Sequence, residues 1–269
     1  MSRLALLLLS LVLLAACAGP PVQERPPLAQ RVIDLGREGQ QAFSKGDLKR
    51  AHGFFTLALR DAKRIEDSEG VAAMAINLAR VARDSGASGE GLAGLAGVTE
   101  WHRSRISARL DQEIDLLSAV LLADLGRVDE SLTRLDALRR KCSGDCALSV
   151  GADSLQARLI LTKGDAASAL ALATATLDRA QVQGNRVELA NLLRTRGEAC
   201  LALGDFLTAK QALEEALDID KALALPAKIV LDLESLTHTA LAAGDTAAYA
   251  HYLSRLNEVR GAQANGASR

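Results

Sequence analysis

Residues 193–216 contain Leu193, Gly197 and Cys200 before the pair Gly204-Asp205, and Phe206, Ala209, Leu213 and Ala216 after it. On both sides of that pair, large and small apolar residues recur at the three- and four-residue spacing of a helix face. Glycine supplies the left-handed residue that ends one helix, and aspartate caps the next. The stretch therefore reads as helix, tight turn, helix. The same punctuation recurs at Gly46, Gly86, Gly126, Gly164, Gly204 and Gly244, at intervals of 40, 40, 38, 40 and 40 residues. In four of the six the next residue is again aspartate: Asp47, Asp165, Asp205 and Asp245.

These units resemble the tetratricopeptide repeat family, whose helical hairpins place small residues where helices cross and a glycine at the turn. The unit around Gly204 carries the pattern most fully. The first unit repeats it through Leu35, Gly39, Ala42, Gly46, Leu48, Ala51, Phe55 and Ala58. Units three and four keep it through Ala119, Leu122, Gly126 and Leu135 and through Ala157, Ile160, Gly164 and Ala169, whereas unit two is degenerate and unit six has Tyr249 at a small position. The resemblance implies an all-α, right-handed α-solenoid of about six hairpins, twelve helices in all, over residues 28–262, with a flexible tail at 263–269. The period of 40 departs from the family's 34 and requires longer helices or longer connections. One hairpin cannot bury its own apolar faces, so the core must run from unit to unit.

Composition agrees with this class. Of 269 residues only 3% are aromatic and five are proline, while 49% are hydrophobic, a mixture that opposes an all-β fold. With 32 basic and 33 acidic residues interspersed, the chain lacks the charge footprint of nucleic-acid binding.

The first 16 residues form a short cationic start and an apolar run, Leu4 to Ala16, as in a secretory signal. Leu14-Ala15-Ala16-Cys17 resembles the lipobox of bacterial lipoproteins, which implies cleavage before Cys17 and its acylation. Residues 17–27 then hold four of the five prolines, a semi-extended tether. In that family of signals an Asp after the cysteine favours the inner membrane. Ala18 here implies the outer membrane, facing the periplasm.

Cys142 and Cys146, with Gly144 between them, are expected to form a local disulfide in an oxidising compartment. Cys200, at a small packing position, is expected to be a buried thiol. Gly91, Gly94 and Gly97 predict a helix face that allows close approach, in the least stable helix of the array. His52, His102, His238 and His251 are scattered without metal or triad spacing, and no nucleophile, phosphate-loop or zinc motif stands out. No cofactor, metal or catalytic residue is expected.

The resemblance places the first helix of each hairpin on a concave face. Counting from each turn glycine, one inward row carries Gln40, Arg80, Val120, Arg158, Glu198 and His238, and another Gly36, Ile76, Leu116, Ser154, Arg194 and Glu234. Arg80, Arg158 and Arg194 suit carboxylates of an extended peptide, while Asn191, Glu198, Glu234 and His238 give the C-terminal half a mixed character. The expected protein is a non-enzymatic, lipid-anchored periplasmic scaffold or adaptor for a protein or peptide partner in an envelope assembly or maintenance complex. A peptidoglycan or small-ligand binding module is the other reading, though Trp101, Tyr249 and Tyr252 offer few aromatic platforms.

Overall fold

The computed structural model describes residues 26–142 and 146–266. The signal, Cys17, nearly all of the tether and Gly144 therefore lie outside the described residues. Thirteen helices follow one another among those described: α1 (Pro27–Ser44), α2 (Leu48–Arg64), α3 (Ser68–Asp84), α4 (Ser88–Ala96), α5 (Glu100–Arg103), α6 (Ala108–Asp124), α7 (Val128–Lys141), α8 (Ser149–Thr162), α9 (Ala166–Val182), α10 (Arg186–Ala202), α11 (Phe206–Ala222), α12 (Pro226–Ala242) and α13 (Thr246–Gly266). Twelve pair into six hairpins, α1–α2, α3–α4, α6–α7, α8–α9, α10–α11 and α12–α13, and the hairpins stack in chain order as an α-solenoid. The four-residue α5 is the extra element, inserted between units two and three.

The length of the unit comes from its helices. α10 and α11 are each 17 residues long, and residues 203–205 and 223–225 form equally short turns after them. All six turn glycines have positive φ, from 71° at Gly244 to 88° at Gly164. At the fifth, the Gly204 N–H donates to the Leu201 carbonyl at 3.1 Å and the Asp205 N–H to the Cys200 carbonyl at 2.9 Å, which closes the helix end. The aspartates act as expected: Asp47, Asp165, Asp205 and Asp245 accept from the backbone N–H of Arg50, Ser168, Thr208 and Ala248. Where the aspartate is missing, α4 after Ala87 and α7 after Arg127 start without a side-chain cap.

Small residues sit where helices cross. A Cβ on Gly39 would lie 2.5 Å from the Phe55 ring, and one on Gly197 would lie 2.6 Å from Leu213 Cγ, so each glycine admits the large residue of its own hairpin. Ala51, Ala58, Ala209 and Ala216 are fully buried. Cys200 is buried as well, and burial raises its thiol pKa.

Three local expectations change. Of the glycine row, only Gly91 marks a close approach, its Cβ position 3.0 Å from the Ala79 carbonyl oxygen; Gly94 faces open space, and Gly97 caps the helix. Ile76 packs into the core with Ala72, Leu95, Ile114 and Leu117 rather than pointing into the groove, because successive first helices meet at that position. α13 continues to Gly266, into the stretch expected as tail. Tyr249 is accommodated at the last crossing, partly buried against the cluster of Leu233, Leu236 and Tyr252.

Candidate functional site

The first helices α3, α6, α8, α10 and α12 together line a groove of about 490 Å³. Its apolar parts include Leu116, Val120, Val187 and Leu231, the last two more than a third exposed. Its charged parts are Arg83, Asp124, Arg158, Glu188, Arg194, Glu198 and Lys228.

Several of these charges are already partnered. Arg83 Nε donates to Asp124 Oδ2 at 2.6 Å. Glu198 accepts from the Ser235 hydroxyl at 2.9 Å, and Glu188 from the Asn191 amide at 3.2 Å. The Asn191 carbonyl oxygen in turn accepts from Lys228 Nζ at 3.0 Å and from Arg194 Nη1 at 3.1 Å.

Arg158 and Lys228 differ from the rest. Among the described residues neither forms an ion pair with a carboxylate, and both stand in the groove. Burial lowers the Lys228 pKa from its ordinary value, and Arg194, Arg83 and Arg158 lower it further. Burial likewise lowers that of Arg158, countered by Asp124. Arg158 has Asp124, Glu198 and Glu188 in its surroundings and Lys228 has Asp220, but neither cation is closed off by a direct ion pair among the described residues, which leaves both able to meet an incoming anion.

The residues expected from sequence divide accordingly. Arg158, Asn191, Arg194 and Glu198 all line the groove. Arg194 is not available to a ligand carboxylate, because it is buried between Asp220 and Asp232 and bridges α10, α11 and α12. Arg80 pairs with Glu113 and borders an adjoining cleft that shares Arg83, Leu116 and Val120 with the groove. Glu234 pairs with Arg260 of α13, and His238 is exposed outside the groove lining. Cys142 and Cys146 are bonded, their Cα atoms 5.3 Å apart, in the connection from α7 to α8. Among the described residues no cluster of His, Cys, Asp or Glu is suited to a metal.

Lys228 and Glu188 lie outside the residues expected from sequence. Each stands 16 residues before its turn glycine, in the first turn of α12 and α10. The two inward rows counted from sequence lie further along the helix, and extending the count back by nearly two turns reaches both.

Residues 150–222 match the tetratricopeptide repeat family model. No curated protein matches the chain by sequence. Among solved structures, the chain is similar to a Rap protein complexed with competence and sporulation factor, with a TM-score of 0.64 at 12% identity over 90% of this chain and 78% of that one. It is similar to PilF of Pseudomonas aeruginosa, with a TM-score of 0.58 at 14% identity over 91% and 100% of the two chains. It is also similar to BtubC from P. vanneervenii, with a TM-score of 0.57 at 16% identity over 89% and 93%.

Proposed function

We propose that this tetratricopeptide-like chain is a non-enzymatic, lipid-anchored periplasmic adaptor that holds an acidic segment of a partner protein in its concave groove. The observation that carries the reading is the pair Arg158 and Lys228, two groove cations from different repeats that lack carboxylate partners among the described residues. Val187 and Leu231 beside them supply apolar contact for neighbouring side chains of the same segment. The Rap structure with this fold is itself a complex with a factor. The anchor is supported by the apolar N-terminal run ending at Cys17, and the outer-membrane address by Ala18. The partner would belong to an envelope assembly or maintenance complex.

Glycan binding has less support. Trp101, the exposed aromatic of α5, has the Arg105 guanidinium 4.3 Å over its ring, which occupies one face of a sugar platform.

A photo-crosslinker at Leu231, used in intact cells, should capture one envelope protein, and Arg158→Glu with Lys228→Glu should abolish capture. Undiminished capture by the double variant would sink the groove reading. Cys17→Ser should release the protein from the membrane fraction; unchanged attachment would sink the anchor.

A further inference from the structure

Buried carboxylates in this molecule are usually oversupplied with cations. Asp115 faces Arg103, Arg134 and Lys141, and Asp153 faces Arg139 and Arg179. At units five and six the balance reverses. Asp220 and Asp232 share the single guanidinium of Arg194, and all three side chains are at most 8% exposed. Arg194 Nε donates to Asp232 Oδ1 at 2.6 Å, whereas buried Asp232 Oδ2 has no hydrogen-bond partner among the described residues. With both acids ionised the triad would carry a net negative charge away from water, which is costly.

Among the described residues no second cation forms an ion pair with either acid, and the nearest, Lys228, feels the Asp220 charge only at longer range. On α10 the next polar group is Asn191, which leads to Glu188. On α12 Lys228 is bonded to Asn191, and on α13 Arg260 is taken by Glu234. On α11 Lys221 pairs with exposed Asp218. A proton shared by the two carboxyls neutralises the triad and gives the unpartnered oxygen a role. Burial is the main cause raising the Asp232 pKa to about 6, opposed by Arg194 and reinforced by Asp220.

We propose that Asp220 and Asp232 share one proton, and that this proton controls anion capture in the groove through Arg194, Asn191 and Lys228. The inference rests on the groove reading above. When the proton is held, the triad is neutral and the field of Lys228 and Arg158 reaches the ligand. When it leaves, a negative charge appears behind Asn191 and opposes the same ligand. Acidification therefore tightens binding, and by reciprocity the bound anion draws in a proton.

The test uses the full chain with a fluorescein-labelled deca-glutamate peptide as probe, at pH 5.5 and 7.5 and fixed salt, alongside ¹³C-carboxyl titration of the aspartates. Wild type should bind about tenfold more tightly at the lower pH. Asp232→Asn, which keeps an acceptor for Arg194, should bind equally at both, as should Asp220→Asn. A pH response in the two variants equal to that of wild type overturns the proposal, as does finding both carboxyls ionised at pH 5.5. If wild type fails to bind the probe at either pH, the groove reading and the control of capture both fall; a carboxyl titrating near pH 6 would still establish the shared proton.

Discussion

Unit five and unit two begin from the same turn and end differently. Gly204 and Gly86 have φ of 82° and 76°, yet the helix after Gly204 runs 17 residues and the helix after Gly86 only nine. Asp205 caps the first and Ala87 leaves the second uncapped. Beyond the turn, α11 presents Ala209, Leu213 and Ala216 to its partners, while α4 spends several positions on glycine. The turn thus starts the second helix of a hairpin, and the cap and the packing that follow decide how far it extends.

The largest way to break this contrast is Arg194→Met. It leaves Asp220 and Asp232 buried without their cation and should cost unit five about 3–5 kcal/mol in chemical denaturation. Arg80→Met, which removes a partly exposed pair with Glu113, should cost under about 1 kcal/mol. Equal effects would show that burial does not set the difference.

Asp232→Asn sharpens the comparison through pH. Folded Asp232 has its pKa raised to about 6, against the ordinary 3.8 of an unfolded aspartate, so its contribution is greatest on the acid side and falls as pH rises through that window. The stability difference between wild type and Asp232→Asn should change by about 2–3 kcal/mol from pH 4 to 7. A pH-independent difference contradicts the raised pKa.

Glycine substitutions should act in opposite directions. Gly197→Ala meets Leu213 and should destabilise by about 1–3 kcal/mol, whereas Gly94→Ala fills open space within a helix and should stabilise by about 1 kcal/mol. Ala87→Asp should add about 0.5–1 kcal/mol by capping α4. Amide hydrogen exchange provides the local check: α4 should exchange faster than α10, and both substitutions in unit two should slow it.

Much of the fold is legible in the sequence because it is written locally. A turn glycine, the aspartate after it and small residues at fixed offsets lie within one hairpin, and the structure realises them at Gly39, Gly46, Gly197 and Gly204. The period alone does not distinguish longer helices from longer connections. The site is less legible, because its pairings cross units. Arg194 meets partners 26 and 38 residues away, and no spacing within α10 reveals that two acids have claimed it. Lys228 escapes for a simpler reason, since its row begins nearly two turns before those counted.

The irregular connection between units two and three also has a mechanical consequence. The groove draws on α3, α6, α8, α10 and α12, while the chain enters the stack at α1. In the proposed adaptor, a pull between an anchor before the first helix and a partner gripped near Lys228 must cross residues 97–107, where a short turn gives way to a longer link carrying only the four residues of α5. That link is tied to its neighbours: Arg103 pairs with Asp111 and Asp115 of α6, the Ser107 N–H donates to Glu69 of α3, and Val98 is buried in the core. Between units three and four, the Cys142–Cys146 bond gives the load a covalent path that bypasses the chain between the two cysteines. Because α3 and α6 stand on either side of the link and both line the groove, joined there by the Arg83–Asp124 pair, tension that lengthened the link would reach the grip itself.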